Sequence, residues 1–80
     1  MYYVYLIQSI KDSSKTYVGS TANLVQRMKK HNSGASIYTS NFKPWKLITS
    51  ICFNEKSKAL AFEKYLKIGS GHAFAKKHFW

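Results

Sequence analysis

Acidic residues are the scarcest charged type in this chain: Asp12, Glu55 and Glu63 are the only three among 80 residues. So few carboxylates exclude a two-metal phosphodiesterase centre, because two ions clamped about 4 Å apart need several anionic ligands. The single cysteine, Cys52, rules out an intrachain disulfide and leaves no cysteine pair for zinc, which is the pattern of a reducing cytoplasm. Its place in the apolar run of residues 46–53 predicts a core thiol, not a nucleophile. His31, His72 and His78 show no zinc spacing, and the four glycines form neither a P-loop nor a dinucleotide-binding pattern. No apolar run approaches the roughly 20 residues of a membrane span. The N-terminus opens directly into a strand-like run, without the basic segment and cleavage site of a signal peptide.

What is abundant is positive charge: 13 Lys and Arg against the three acids give a net charge of +10. A domain with this balance seeks polyanions, and nucleic acid ranks first because phosphate neutralisation releases counterions. An anionic membrane surface ranks below it, since the basic residues are scattered along the chain and do not line one amphipathic helix. A composition 45% hydrophobic and 16% aromatic is enough to close a small core. The length allows one domain, residues 1–80.

Residues 2–9, β-branched and aromatic on both faces, predict a central strand buried on both sides. Turn formers at 11–15 lead into a second strand at Thr16-Tyr17-Val18-Gly19, giving a β-hairpin that Gly19 ends where the backbone bends or is closely approached. Ser20 to Asn23 offer caps for a helix in which Leu24, Met28 and His31 share a face, and Asn32-Ser33-Gly34 stops it. Residues 33–45 read as a basic loop, Trp45 to Phe53 as a third strand. A second helix, capped by Ser57, runs to about Ile68 and ends at Gly69 and Gly71, and residues 72–80 form a short helical tail. The order β-β-α-β-α-α predicts an α/β fold, a small, mainly antiparallel three-stranded sheet flanked by helices.

Glu63 shares a helical stripe with Ala59, Phe62 and Leu66, so it points towards the core. Such a carboxylate is either paired at the stripe's edge with Lys64, Lys67 or a basic residue elsewhere, or bound to a metal. Mg²⁺ accepts one or two carboxylates with waters and substrate phosphate, so Glu63 alone suffices for a single ion. Arg27 and His31, four residues apart, put a fixed cation beside a titratable imidazole. They form either a solvated basic face with Lys29 and Lys30 or a phosphate site, for which the planar fork of the chain's only arginine is suited. Tyr5 and Tyr17 lie on the two hairpin strands and either pack across them or converge on one functional face. Lys15, Lys30, Tyr38, Lys43 and Lys46, with Trp45, supply the mix of rings and cations that binds nucleic acid.

The ordered set Val4-Tyr5-Leu6, Tyr17-Val18-Gly19-Ser20, Arg27, His31-Asn32 and Glu63, closed by Glu63-Lys64-Tyr65-Leu66-Lys67 and Gly69-Ser70-Gly71, resembles the GIY-YIG nuclease family. It is most similar to the family's small single-domain bacterial members, related to the N-terminal domain of the excision-repair incision subunit. The resemblance covers nearly the whole chain. Tyr3-Val4-Tyr5 stands where the family writes Gly-Ile-Tyr, and Val18 replaces the isoleucine of the second motif.

The resemblance implies a divalent-metal-dependent endonuclease acting on DNA, using one Mg²⁺ or Mn²⁺ ion on Glu63. It also implies that Arg27 stabilises phosphate charge, that Tyr5 and Tyr17 are the motif tyrosines, and that His31 holds an active-site position. Tyr17 is expected to transfer the proton and Tyr5 to position, with His31 as partner. A phenol, with a reference pKa near 10, needs help from nearby cations for such a role. With no second DNA-binding domain, selectivity is expected to be directed by structure more than by sequence. One domain carries one active site, so cutting both strands requires two copies or two encounters. The competing class is a basic nucleic-acid-binding or partner-docking module without turnover, and an RNA-directed factor fits the same charge.

Overall fold

The computed structural model describes all 80 residues. Strand β1 (Tyr2–Ser9) is followed by β2 (Thr16–Thr21), α1 (Leu24–Ser33), α2 (Ile37–Ser40), β3 (Trp45–Phe53), α3 (Lys56–Lys67) and α4 (Gly69–His78). The sheet has the order β2-β1-β3, and both pairings are antiparallel. β1 is therefore central, and the unbroken apolar run Val4 to Ile7 follows from helices covering both of its faces. Side chains alternate along the strand. Val4 and Leu6 pack with Ala59, Leu66 and Ala75 of α3 and α4. Tyr5 and Ile7 pack with Trp45, flanked by Leu24 and Met28 of α1.

Local chemistry sets the boundaries. The Asp12 carboxylate accepts hydrogen bonds from the Ser14 amide and hydroxyl, closing the hairpin turn. Asn23 caps α1 by accepting from the Gln26 amide at 3.0 Å, and Gly34 ends it at φ 85°, a left-handed conformation that favours glycine.

Several expectations are corrected. β2 does not end at Gly19 but continues to Thr21. The stretch 33–45 contains the one-turn helix α2, stabilised by tertiary contacts: the Trp45 indole donates to the Thr39 carbonyl at 2.9 Å. Helix α3 begins one residue before Ser57, with Glu55 at the N-cap. Its break comes at Ile68, whose backbone is extended, and Gly69 opens α4 instead of closing α3. Cys52 is exposed, with its Sγ 2.9 Å from Met1 Sδ. β3 is an edge strand and Cys52 stands near its end, opposite Tyr3, so an apolar strand run does not bury its thiol. No helix is long and apolar enough to cross a membrane.

Candidate active site at the free edge of strand β2

The hairpin register sets Tyr5 opposite Gly19 and Ile7 opposite Tyr17, so both tyrosines project from the face covered by α1. Their ring centroids are 6.3 Å apart. Gly19 is the close approach that the sequence anticipates: a Cβ there would overlap the Tyr5 hydroxyl and ring. The missing side chain lets the phenol approach β2 closely.

Helix α1 brings Arg27 and His31 to the same phenol, one turn apart. Tyr5 Oη is 2.8 Å from His31 Nε2, and His31 Nδ1 is 2.8 Å from Thr39 Oγ1 of α2. Arg27 Nη1 donates to Tyr5 Oη and to the Ser20 carbonyl, both at 3.4 Å. Burial raises the Tyr5 pKa above its ordinary value, against the opposing hydrogen bond from Arg27. Burial, followed by the charge of Arg27, lowers the His31 pKa below 6.5. At neutral pH the phenol is protonated and the imidazole neutral. A neutral imidazole donates from one ring nitrogen and accepts at the other, so His31 bridges the hydroxyls of Tyr5 and Thr39.

Glu63 arrives from the opposite face of the sheet. Its Oε1 accepts from the Ser20 hydroxyl at 2.5 Å, and its Oε2 accepts from Lys67 Nζ at 2.7 Å, an i,i+4 pair on α3. The carboxylate thus sits at the edge of the apolar stripe, not within it. Ser20 and Val18 face α3 whereas Tyr17 faces α1, but β2 has no further strand beyond it, and long side chains from both faces meet around its free edge. Lys67 Nζ, 45% exposed along its side chain, lies 5.8 Å from the Tyr17 ring centroid.

Glu63 is the only carboxylate at this edge, and no group of three His, Cys, Asp or Glu side chains exists anywhere in the chain. Its two oxygens are hard donors suited to Mg²⁺ or Mn²⁺, and their present partners are one hydroxyl and one half-exposed lysine. Tyr17 is half-buried whereas Tyr5 is 0% exposed, so only Tyr17 meets solvent from this pair.

The remaining sequence candidates divide. Tyr38 joins the site, its ring 5.7 Å from that of Tyr17. Lys30, with Arg27 and Lys29, lines a polar pocket of about 380 Å³ on α1. Lys15 lies over the Phe42 ring, and Lys43 Nζ approaches Gly34 near the end of α1. Lys46 belongs to β3, the far edge of the sheet, and does not join the cluster. Trp45 is 3% exposed, so it belongs to the core and offers no stacking surface. Sequence reasoning treated Lys67 only as a partner for Glu63 and missed Thr39 as the support of His31. The i+4 spacing from Glu63 was the available signal for Lys67, whereas Thr39 carried none.

A basic α/β domain with a tyrosine pair, an arginine and one carboxylate on an open sheet edge has the parts of a phosphate-handling catalytic domain. The model of the GIY-YIG catalytic domain matches residues 1–75, and the chain belongs to that family. It is 38% identical over 68 residues to the UPF0213 protein YsiG of Lactococcus lactis, covering 82% of this chain and 62% of YsiG. It is 34% identical over 84 residues to the structure-specific endonuclease subunit SLX1 of Debaryomyces hansenii, covering 96% of this chain but 23% of that protein. The chain thus spans about a quarter or less of the SLX1 relatives it matches. The solution NMR structure of the UPF0213 protein BH0048 from Bacillus halodurans is similar at a TM-score of 0.58 and 28% identity, covering 99% of this chain and 87% of that one.

Proposed function

We propose that residues 1–80 form one nuclease domain, an endonuclease that hydrolyses phosphodiester bonds of DNA at the free edge of β2. In this reading one Mg²⁺ or Mn²⁺ ion is held by Glu63, and selectivity comes from DNA structure. The observation that carries the reading is the convergence of Tyr17, Arg27 and Glu63 from two faces of the sheet onto one open edge of a chain with net charge +10. Membership of the GIY-YIG family supports the reaction class. The name of the SLX1 relatives, structure-specific endonuclease subunit, supports selectivity by structure.

Hydrolysis requires a deprotonated water, compensation for charge gathering on the phosphoryl oxygens, and help for the leaving 3′ oxygen. Arg27, held through Nη1 by Tyr5 and the Ser20 carbonyl, presents the rest of its planar fork to a phosphate oxygen pair. Tyr17, the tyrosine open to solvent, orients the attacking water and takes or relays its proton. Tyr5 and His31 are positioning residues: the buried phenol anchors Arg27, and the imidazole fixes the phenol. A divalent ion, when bound, adds positive charge against the phosphate and the leaving oxygen. Lys67, half-exposed beside Glu63, supplies a second cation for the strand.

The test is incubation of supercoiled plasmid, linear duplex, branched DNA and a matching RNA with Mg²⁺, Mn²⁺ or EDTA at low salt, where a basic domain binds well. The expected result is metal-dependent cleavage, fastest on branched DNA. Binding without cleavage of any substrate would make the domain a basic adaptor, and equal cleavage in EDTA would remove the metal from the account.

A further inference from the structure

Tyr17 also forms a wall of a second pocket, of about 270 Å³, shared with Tyr38 of α2, Leu66 and Lys67 of α3, His72 of α4 and Trp80. Four of the pocket's eight lining residues carry rings. Tyr38 is 53% exposed, and its ring lies 5.7 Å from that of Tyr17 at an interplanar angle of 33°, so the two rings form adjoining aromatic walls. Lys67 puts a cation at the rim, and the hydrolytic reading leaves Tyr38, His72 and Trp80 without a role.

An open slot walled by rings with a cation at its margin matches one occupant chemically, a nucleobase whose flat π-face stacks while its phosphate is neutralised. A base inside a duplex has both faces covered by its neighbours, so only an unpaired nucleotide can enter. Tyr17 and Lys67 belong both to this pocket and to the proposed hydrolytic edge. We propose that the pocket is a subsite for one unpaired nucleobase of the DNA strand being cut, next to the scissile phosphate. This rests on the nuclease reading and gives it a source of structural selectivity: every base has a π-face, so the subsite favours flaps, gaps and junctions without reading sequence.

The subsite is tested with branched DNAs that differ only at the first unpaired nucleotide, which carries thymine, the fluorescent base 2-aminopurine, or no base. Binding is followed in EDTA and single-turnover cleavage in Mg²⁺. Wild-type protein is expected to quench 2-aminopurine and to bind and cut the abasic DNA about tenfold less well than the others. Tyr38→Leu and Trp80→Leu should abolish quenching and shrink the abasic penalty, Tyr38→Phe should retain both, and circular dichroism checks folding. Equal binding and equal cleavage of abasic and base-bearing DNA by the wild type would overturn the subsite while leaving the nuclease reading intact. Absence of metal-dependent cleavage of all three DNAs would overturn that reading and the subsite with it.

Discussion

Tyr5 Oη and His31 Nε2, 26 residues apart in sequence, are joined by a buried 2.8 Å hydrogen bond. The imidazole is in turn held by Thr39, so α1, α2 and the central strand are tied at one point. Removing the imidazole leaves buried hydroxyls on both sides without their partner. His31→Ala is expected to cost about 2–4 kcal/mol, summing a lost network and a small cavity, measurable by urea denaturation.

The same pair sets a pH dependence of stability. His31 has a folded-state pKa below its ordinary 6.5, so between the two values the unfolded chain binds more protons. Its contribution is complete above pH 6.5 and declines as the pH falls from there towards the folded-state value. Denaturation midpoints of the wild type should therefore drop on acidification below pH 6.5, and His31→Gln should flatten that dependence.

Gly19→Ala tests the close approach of the phenol to β2. The new methyl overlaps the Tyr5 hydroxyl, which His31 prevents from moving freely. Overpacking of about 1–3 kcal/mol is expected, with loss of cleavage because the ring that anchors Arg27 is displaced. Thermal unfolding read beside the cleavage rate checks both parts.

Arg27→Lys keeps the charge and loses the fork. It should lower single-turnover cleavage by about 10²-fold or more while leaving DNA affinity in EDTA nearly unchanged, since one phosphate contact is retained. A rate equal to that of the wild type would mean that charge alone suffices.

The two edges of the sheet should differ in their salt response. Lys30→Ala, beside Arg27 on α1, is expected to reduce the slope of log affinity against log salt by about one. Lys46→Ala, on β3, should leave the slope unchanged.

The central strand was legible because the unbroken run Val4 to Ile7 requires cover on both faces, and α1 was legible because Asn23 and Gly34 mark its ends. The exposure of Cys52 was not, since an apolar strand run does not reveal which part of the opposite layer covers it. Helix α2 escaped because Ser36 makes no side-chain cap and its one turn depends on Trp45 and His31 reaching Thr39. At the site, the ordered motif residues were readable with their spacing. The meeting of Glu63 with Ser20, 43 residues earlier, was not, because it depends on the sheet order, which sets β2 at an edge beneath α3. For the same reason the sequence did not separate Lys30, near that edge, from Lys46 on the other.

The most direct test of the central claim is a Mg²⁺ titration of single-turnover cleavage of one labelled branched DNA by wild type and Glu63→Gln. The variant keeps the size of the side chain and an acceptor for Ser20, and its lost exposed pair with Lys67 is worth only about 0–1 kcal/mol. The account predicts a folded protein that binds the DNA in EDTA as the wild type does and cuts it at least about 100-fold more slowly at every Mg²⁺ concentration. Cleavage by Glu63→Gln with the wild-type rate and metal dependence would contradict it.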